Sequence, residues 1–142
     1  MDATVDRPRQ RPLHPVNAFL VSATVTLFLS ALLSDIAYAM SYQVQWTNFA
    51  SWSIAAGLLS GGVVLVFALV GLRHADRHGG RYLSYCLILL ATWVLGFINA
   101  MMHAKDAWAV MPEGLILSAI VLWLACLAAW MGLSNFRMGD VP

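Results

Sequence analysis

The sequence predicts an all-α transmembrane four-helix bundle of up-down topology, and three observations carry that expectation. The chain is 61% hydrophobic and only 11% charged, whereas ordinary soluble domains carry about 25% charged residues. Its apolar residues gather into four long runs, each near the ~20 residues a helix needs to cross ~30 Å of hydrocarbon. Its cations are sorted between the connecting segments. Arg7, Arg9 and Arg11 precede the first run, Arg73, Arg77 and Arg81 separate the second from the third, and Arg137 follows the fourth, while Lys105 falls in the other set of loops. Excess Lys and Arg in short loops marks the cytoplasmic side. Both termini are therefore expected to be cytoplasmic, with 41–48 and 103–113 outside.

The first span, about 15–40, follows a basic start and ends near Ala37-Tyr38-Ala39, which imitates a secretory cleavage site. Its length of ~20 residues exceeds the 7–15 of a signal's apolar region, so the span is expected to be retained. The second, about 49–72, is preceded by Thr47 as a helix-start signal. It presents Ser53, Gly57, Ser60 and Gly61 at helical spacing, with Gly57 and Gly61 forming a GxxxG. The third, about 82–102, aligns Thr92, Gly96, Asn99, His103 and Asp106 on one side. The fourth, about 114–134, starts at Pro112-Glu113 and aligns Gly114, Ser118, Ala125, Ala129 and Gly132. Small residues let membrane helices approach closely, so these faces, with Gly57, Gly61 and Gly96 as packing positions, are expected to turn inward. Short loops make consecutive helices antiparallel neighbours, and residues 1–142 form a single membrane domain. Backbone groups in lipid must be satisfied within each span, which leaves helices as the solution. Cys86 and Cys126 fall inside spans and are expected to be small buried apolar residues rather than a disulfide pair.

Asp35 is the sharpest single residue. It lies near the outer end of the first span, roughly 7 Å below the surface at ~1.5 Å per residue. A carboxylate at that depth costs a few kcal/mol unless it is paired or protonated, which makes it a candidate functional residue. The third span returns to the same side and offers Asn99 at nearly equal depth, with His103 one turn further out. An intramembrane polar cluster of Asp35, Asn99 and His103 is expected. It admits three readings: polar glue that fixes which helices are neighbours, a proton or ion relay, and a metal site, with Met40, Met101, Met102 and Met111 near the same interface suiting copper(I).

Bis-histidine haem ligation needs two histidines at matching depth on facing helices. His14, His74 and His78 lie on the cytoplasmic side and His103 lies alone outside. Only a shallow inner site for haem b, from His14 with His74, is geometrically open. His74-Ala75-Asp76-Arg77-His78 has the i, i+4 histidine spacing of a metal site, but its flanking arginines repel a cation and suit anionic lipid headgroups instead. The sequence shows no nucleophile with a base, no phosphate-cradling glycine loop and no paired carboxylates, so no catalytic activity is expected.

The opening Leu13-His14-Pro15-Val16-Asn17, the first-span Leu33-Ser34-Asp35, the segment Val44 to Trp52, and Gly96-Phe97-Ile98-Asn99-Ala100 through His103 to Trp108 resemble a bacterial family of small four-span membrane proteins of unknown function. The resemblance covers about Pro12 to Gly132. Broader relatives are joined to, or encoded beside, periplasmic quinoprotein sugar dehydrogenases and cytochromes. Some carry a histidine at the start of the third span, where this chain has Leu83-Ser84-Tyr85-Cys86. The resemblance implies a bacterial inner-membrane protein near the respiratory electron-transport chain. Two roles stay open: an accessory or anchor subunit working with other membrane or periplasmic subunits, and an electron carrier binding haem b or quinone. A reduced-minus-oxidised visible spectrum of the purified protein separates them. A b-type band lost in His14→Ala establishes the carrier, and a folded protein without a chromophore removes haem.

Overall fold

The computed structural model describes residues 15–73, 80–105 and 110–137. They form four helices, α1 (Pro15–Ser41), α2 (Val44–Leu72), α3 (Gly80–His103) and α4 (Glu113–Arg137). All four are long and apolar enough to cross a membrane. Neighbours in the bundle run α1–α2, α2–α3, α3–α4 and α4–α1, whereas the diagonal pairs α1–α3 and α2–α4 make no comparable backbone approach. This is an up-down bundle. The α1–α2 and α3–α4 connections share one end, here called the distal end because it lies opposite the start of α1 and the end of α4.

One boundary departs clearly from the expected spans. The segment 41–48 is not a loop, because α2 begins at Val44 and buries Thr47 inside its first turn. Gln43 is the N-cap residue, without a side-chain cap. Gln45 and Asn48 are exposed, and a helix needs apolar side chains only where it meets hydrocarbon. The α1–α2 connection thus narrows to Tyr42 and Gln43. Tyr42 adopts φ 55 and its N–H donates to the Tyr38 carbonyl at 2.7 Å, a left-handed C-cap of the kind usually given to glycine. The Tyr42 and Tyr38 rings meet edge-to-face with centroids 6.3 Å apart. At the other connection, Glu113 occupies the first turn of α4, where its charge complements the helix dipole.

The interior is built from small residues that admit a few large ones. The Phe28 ring lies between α2 and α3, so that a Cβ on Gly57 would stand 3.1 Å from it and one on Gly96 would stand 3.3 Å from it. Gly61 faces Thr24 in the same way, at 3.2 Å. Phe28, Ala31, Ile54, Val121 and Ala125 form one buried cluster, and Val64, Leu65, Ala68, Tyr85, Cys86, Leu89 and Ala128 another. On α4 the buried positions are Gly114, Ser118, Val121, Ala125, Ala128 and Gly132, with Ala129 only partly buried. That phase turns Cys126 outward, so only Cys86 of the two free cysteines is buried. Counting residues into a span gives depth, not azimuth.

Hydrogen bonds then pin helix to helix. The Trp93 indole donates to the Leu58 carbonyl at 3.2 Å and the Tyr82 hydroxyl to the Ala68 carbonyl at 2.8 Å, both from α3 to α2. Thr24 and Ser60 share a hydroxyl–hydroxyl bond at 3.0 Å between α1 and α2. Lipid is as apolar as a buried leucine, so shape fit and such bonds, not the exclusion of water, hold membrane helices together. Replacing Gly57 or Gly96 with Leu is accordingly expected to lower the unfolding temperature in detergent markedly, because Phe28 has no room to retreat. Leu59→Ala on the outer surface, where Leu59 is 76% exposed, is expected to leave it nearly unchanged.

Candidate functional site

The polar residues of α1, α3 and α4 meet at the distal end. Asp35 and Asn99 are wholly buried, and His103 and Ser118 nearly so. His103 Nε2 lies 2.8 Å from Asp35 Oδ1. The Ser118 hydroxyl donates to Asp35 Oδ2 at 2.5 Å. The Asn99 amide Nδ2 donates to Ser118 Oγ at 2.9 Å, and His103 Nδ1 lies 3.0 Å from the Asn99 backbone carbonyl oxygen. The path returns to its start. It runs from the Asn99 side chain through Ser118, Asp35 and His103 to the Asn99 backbone, a closed ring of four hydrogen bonds.

Each helix supplies its part through local geometry. Asn99 and His103 are four residues apart in α3 and share one face, which lets the imidazole reach back to the carbonyl one turn earlier. Asp35 lies on the inward stripe of α1 with Phe28, Ala31 and Tyr38. Ser118 stands one turn beyond Gly114, and a Cβ on Gly114 would lie 3.1 Å from His103 Cε1, so a bare backbone there is what seats the imidazole. The Asp35–His103 contact crosses the diagonal of the bundle, between two helices whose backbones are not close neighbours.

Ring chemistry constrains the protons. A carbonyl oxygen only accepts, so His103 Nδ1 carries hydrogen and donates to Asn99 O. The remaining pair, Nε2 and Oδ1, then shares one hydrogen. With that hydrogen on Oδ1 the pair is carboxylic acid and neutral imidazole, and with it on Nε2 the pair is carboxylate and imidazolium. Its total charge is zero in both cases, which suits burial in a medium of low dielectric. Two oxygens at this end have no partner among the described residues: Asn99 Oδ1 and Thr47 Oγ1.

Of the residues singled out by sequence, Asp35, Asn99 and His103 are thus in one network. Ser118, read as a small packing residue, is its fourth member. The available signal was its depth, since it is the hydroxyl-bearing position of α4 one turn in from the distal end. Gly57, Gly61 and Gly96 sit where Phe28 and Thr24 pack. His14 and His74, and with them Asp106 and Trp108, lie outside the described residues. Both ring nitrogens of His103 are engaged within the ring, so ligation of a metal or haem iron by His103 would cost one of those bonds. Met40 and Met101 are exposed, and Met102 Sδ accepts from Lys105 Nζ at 3.3 Å. No group of three or more His, Cys, Asp or Glu suited to a metal occurs among the described residues.

The family profile described as "Predicted membrane protein (DUF2231)" matches residues 10–137, which include all four helices and the whole ring. The chain belongs to this family. No curated protein and no solved structure matches it. For this DUF2231 protein, membership adds agreement on a small membrane protein of unknown function and leaves the ring as the feature to be explained.

Loss of a ring member strands its partners. Asp35→Ala leaves the Ser118 hydroxyl and His103 Nε2 unpaired, and His103→Ala leaves Asp35 Oδ1 and the Asn99 backbone carbonyl without their imidazole partner, with Ser118 still donating to Oδ2. Each is expected to cost about 2 kcal/mol in detergent unfolding, above the ~0.6 kcal/mol of an average membrane hydrogen bond because two contacts go at once. The double variant is expected to lose clearly less than the sum of the two, which a double-mutant cycle measures directly. Strict additivity would contradict the contact.

Proposed function

We propose that this chain is an integral-membrane accessory or anchor subunit of a larger complex, located in the bacterial inner (cytoplasmic) membrane near the respiratory electron-transport chain, with both termini inside. The observation that carries this reading is where the chain spends its residues. Four helices long and apolar enough to cross a membrane account for nearly all of the described residues, which offer helix faces and the ends of the bundle to a partner. Its exterior is clad in large apolar and aromatic groups, among them Phe19, Trp52, Trp123 and Trp130, each more than 60% exposed. Such a surface serves lipid and the apolar spans of partner subunits equally well.

The interior suits the same reading, since hydrogen bonds between helices and the close packing of Phe28 on Gly57 and Gly96 pin the bundle as a scaffold. The respiratory placement rests on the resemblance of the sequence, and the orientation on the sorting of arginines.

Photo-crosslinking amino acids placed at Leu59, Trp123 and Trp130 in native membranes test the subunit role. A discrete adduct with another membrane or periplasmic protein is expected from at least one position, and adducts with lipid alone would refute the role. Orientation has its own test. In a variant with Cys126 replaced by Ala, a membrane-impermeant thiol reagent added to intact cells is expected to label cysteine introduced at Gln43. Labelling only after the inner face is opened would reverse the topology.

A further inference from the structure

We propose that Asp35 and His103 form a proton-exchange site within the membrane, which takes up and releases a proton through water held at the distal end by Asn99 Oδ1 and Thr47 Oγ1. This goes beyond the subunit reading and stands whether or not that reading holds, since it concerns the isolated chain.

The argument starts from the fixed members of the ring. Asn99 Nδ2, the Ser118 hydroxyl and His103 Nδ1 are all committed donors, pointing the same way around the ring toward Ser118 Oγ, Asp35 Oδ2 and Asn99 O. Only the Oδ1···Nε2 link, at 2.8 Å, has a hydrogen with two possible owners. Transfer breaks the Oδ1–H bond, forms the Nε2–H bond and leaves a carboxylate beside an imidazolium. No heavy atom needs to move, and Ser118 continues to donate to Oδ2 throughout. Uptake of one further proton from water places hydrogens on both Oδ1 and Nε2, the carboxyl hydrogen turning away so that Oδ1 accepts from Nε2–H, and raises the site's charge by one; its return to water restores the shared state. An Asp–His pair suits such traffic because histidine changes charge closest to neutral pH, and acid groups inside membranes mark proton pathways.

The second observation is independent of the pair. Asn99 is wholly buried and Thr47 is 6% exposed, yet Asn99 Oδ1 and Thr47 Oγ1 lack partners. They belong to neighbouring helices, both near the distal ends of those helices. A buried polar atom left unpaired costs about 1–3 kcal/mol, and water bound at each satisfies the Asn99 acceptor with a donated hydrogen and the Thr47 hydroxyl with a lone pair. Asn99 Oδ1 is also part of the residue on which the ring opens and closes. Water there touches the ring from the end at which aqueous solvent is nearest.

Among the described residues the titratable and charged groups around the pair are few. On α1 the titratable neighbour is the buried Tyr38, one turn toward the distal end, with Tyr42 beyond it in the turn. α2 contributes Thr47 and no charged group. α3 leads on to Lys105, and α4 begins with Glu113, both exposed. Neither approaches the ring as a salt-bridge partner among the described residues.

The protein in nanodiscs, labelled with 15N-histidine, provides the test, with His103→Gln assigning the resonance and infrared difference spectra following the Asp35 carboxyl. Between about pH 5 and 9, the expected result is a protonation change at the pair, seen at the His103 nitrogens, at the carboxyl band, or at both. Asp35→Asn keeps the shape of the ring, because its amide donates to Nε2 and its oxygen accepts from Ser118. It is expected to abolish the carboxyl signal and to move any His103 step by about one pH unit or more. In wild type transferred to D2O, the site's proton is expected to exchange, and to do so severalfold more slowly in Thr47→Val. A wild-type pair that shows no protonation change over this range overturns the proposal, as does a His103 step unaltered by Asp35→Asn. Equal exchange rates in wild type and Thr47→Val overturn the water route. The wild-type measurements decide the matter even if a variant fails to fold.

Discussion

A carboxyl group wholly buried, 0% exposed in a bundle of membrane-spanning helices, sets the terms for the rest of this structure. Every atom able to bond with Asp35 has to be delivered from another helix, since its own backbone is already committed to α1. The partners come from α3 and α4, and bringing them within reach fixes the depth and rotation of three helices at once. In a soluble protein, burial of apolar surface would share that task. Between membrane helices the apolar term nearly cancels against lipid, which raises the relative weight of a few polar contacts and of steric fit. The contact between Asp35 and His103 is particular in crossing the diagonal. It is possible because the neighbouring positions on α4, Gly114 and Ser118, are small.

The fourth helix is held by different means. α2 gives no side chain to the ring and is tied to α3 through its own backbone, with the Trp93 indole reaching the Leu58 carbonyl and the Tyr82 hydroxyl that of Ala68, and to α1 through the Thr24–Ser60 hydroxyl bond. These bonds lie toward the middle and the terminal end of the bundle, with Phe28 packed on Gly57 and Gly96 between them and the ring. The two sets of pins therefore act at separate levels. Asp35 and its partners register α1, α3 and α4 at the distal end, aromatic donors register α3 on α2 below, and the two-residue turn at Tyr42-Gln43 couples α1 to α2. A change in the ring is free to be local, because the lower pins do not depend on it.

Much of this was legible in the sequence, and the limits have physical causes. Helix number, order and approximate ends follow from apolar run length, because the cost of unpaired backbone in lipid leaves little choice of structure. The common depth of Asp35, Asn99 and His103 follows from rise per residue along antiparallel helices. Azimuth does not follow so simply when nearly every residue is apolar, and for that reason Cys126 was placed inside and Ala129 preferred to Ala128. Ser118 was legible as small but not as a donor, since its partner lies on α1 and only the closed order of the four helices brings α4 beside it. The start of α2 at Val44 was missed because the apolar run begins only at Phe49, and a helix can extend past the hydrocarbon through exposed polar residues such as Gln45 and Asn48.

A network serving only as glue has no need of a titratable pair. An asparagine at position 35 would donate to Nε2, accept from Ser118 and leave the same ring closed without an acidic group in the membrane. The aspartate differs from that asparagine in one respect, that its hydrogen can leave. Keeping it costs stability whenever the pair holds a net charge, and that cost buys nothing for packing. The same geometry that makes the acid tolerable, a partner base at 2.8 Å with total charge zero, also gives the hydrogen two places to reside. The unpaired oxygens of Asn99 and Thr47 add a place for water at the one end of the bundle where the acid is found. Structure and proton chemistry at this site are consequences of one arrangement, and the difference between aspartate and asparagine at position 35 distinguishes them.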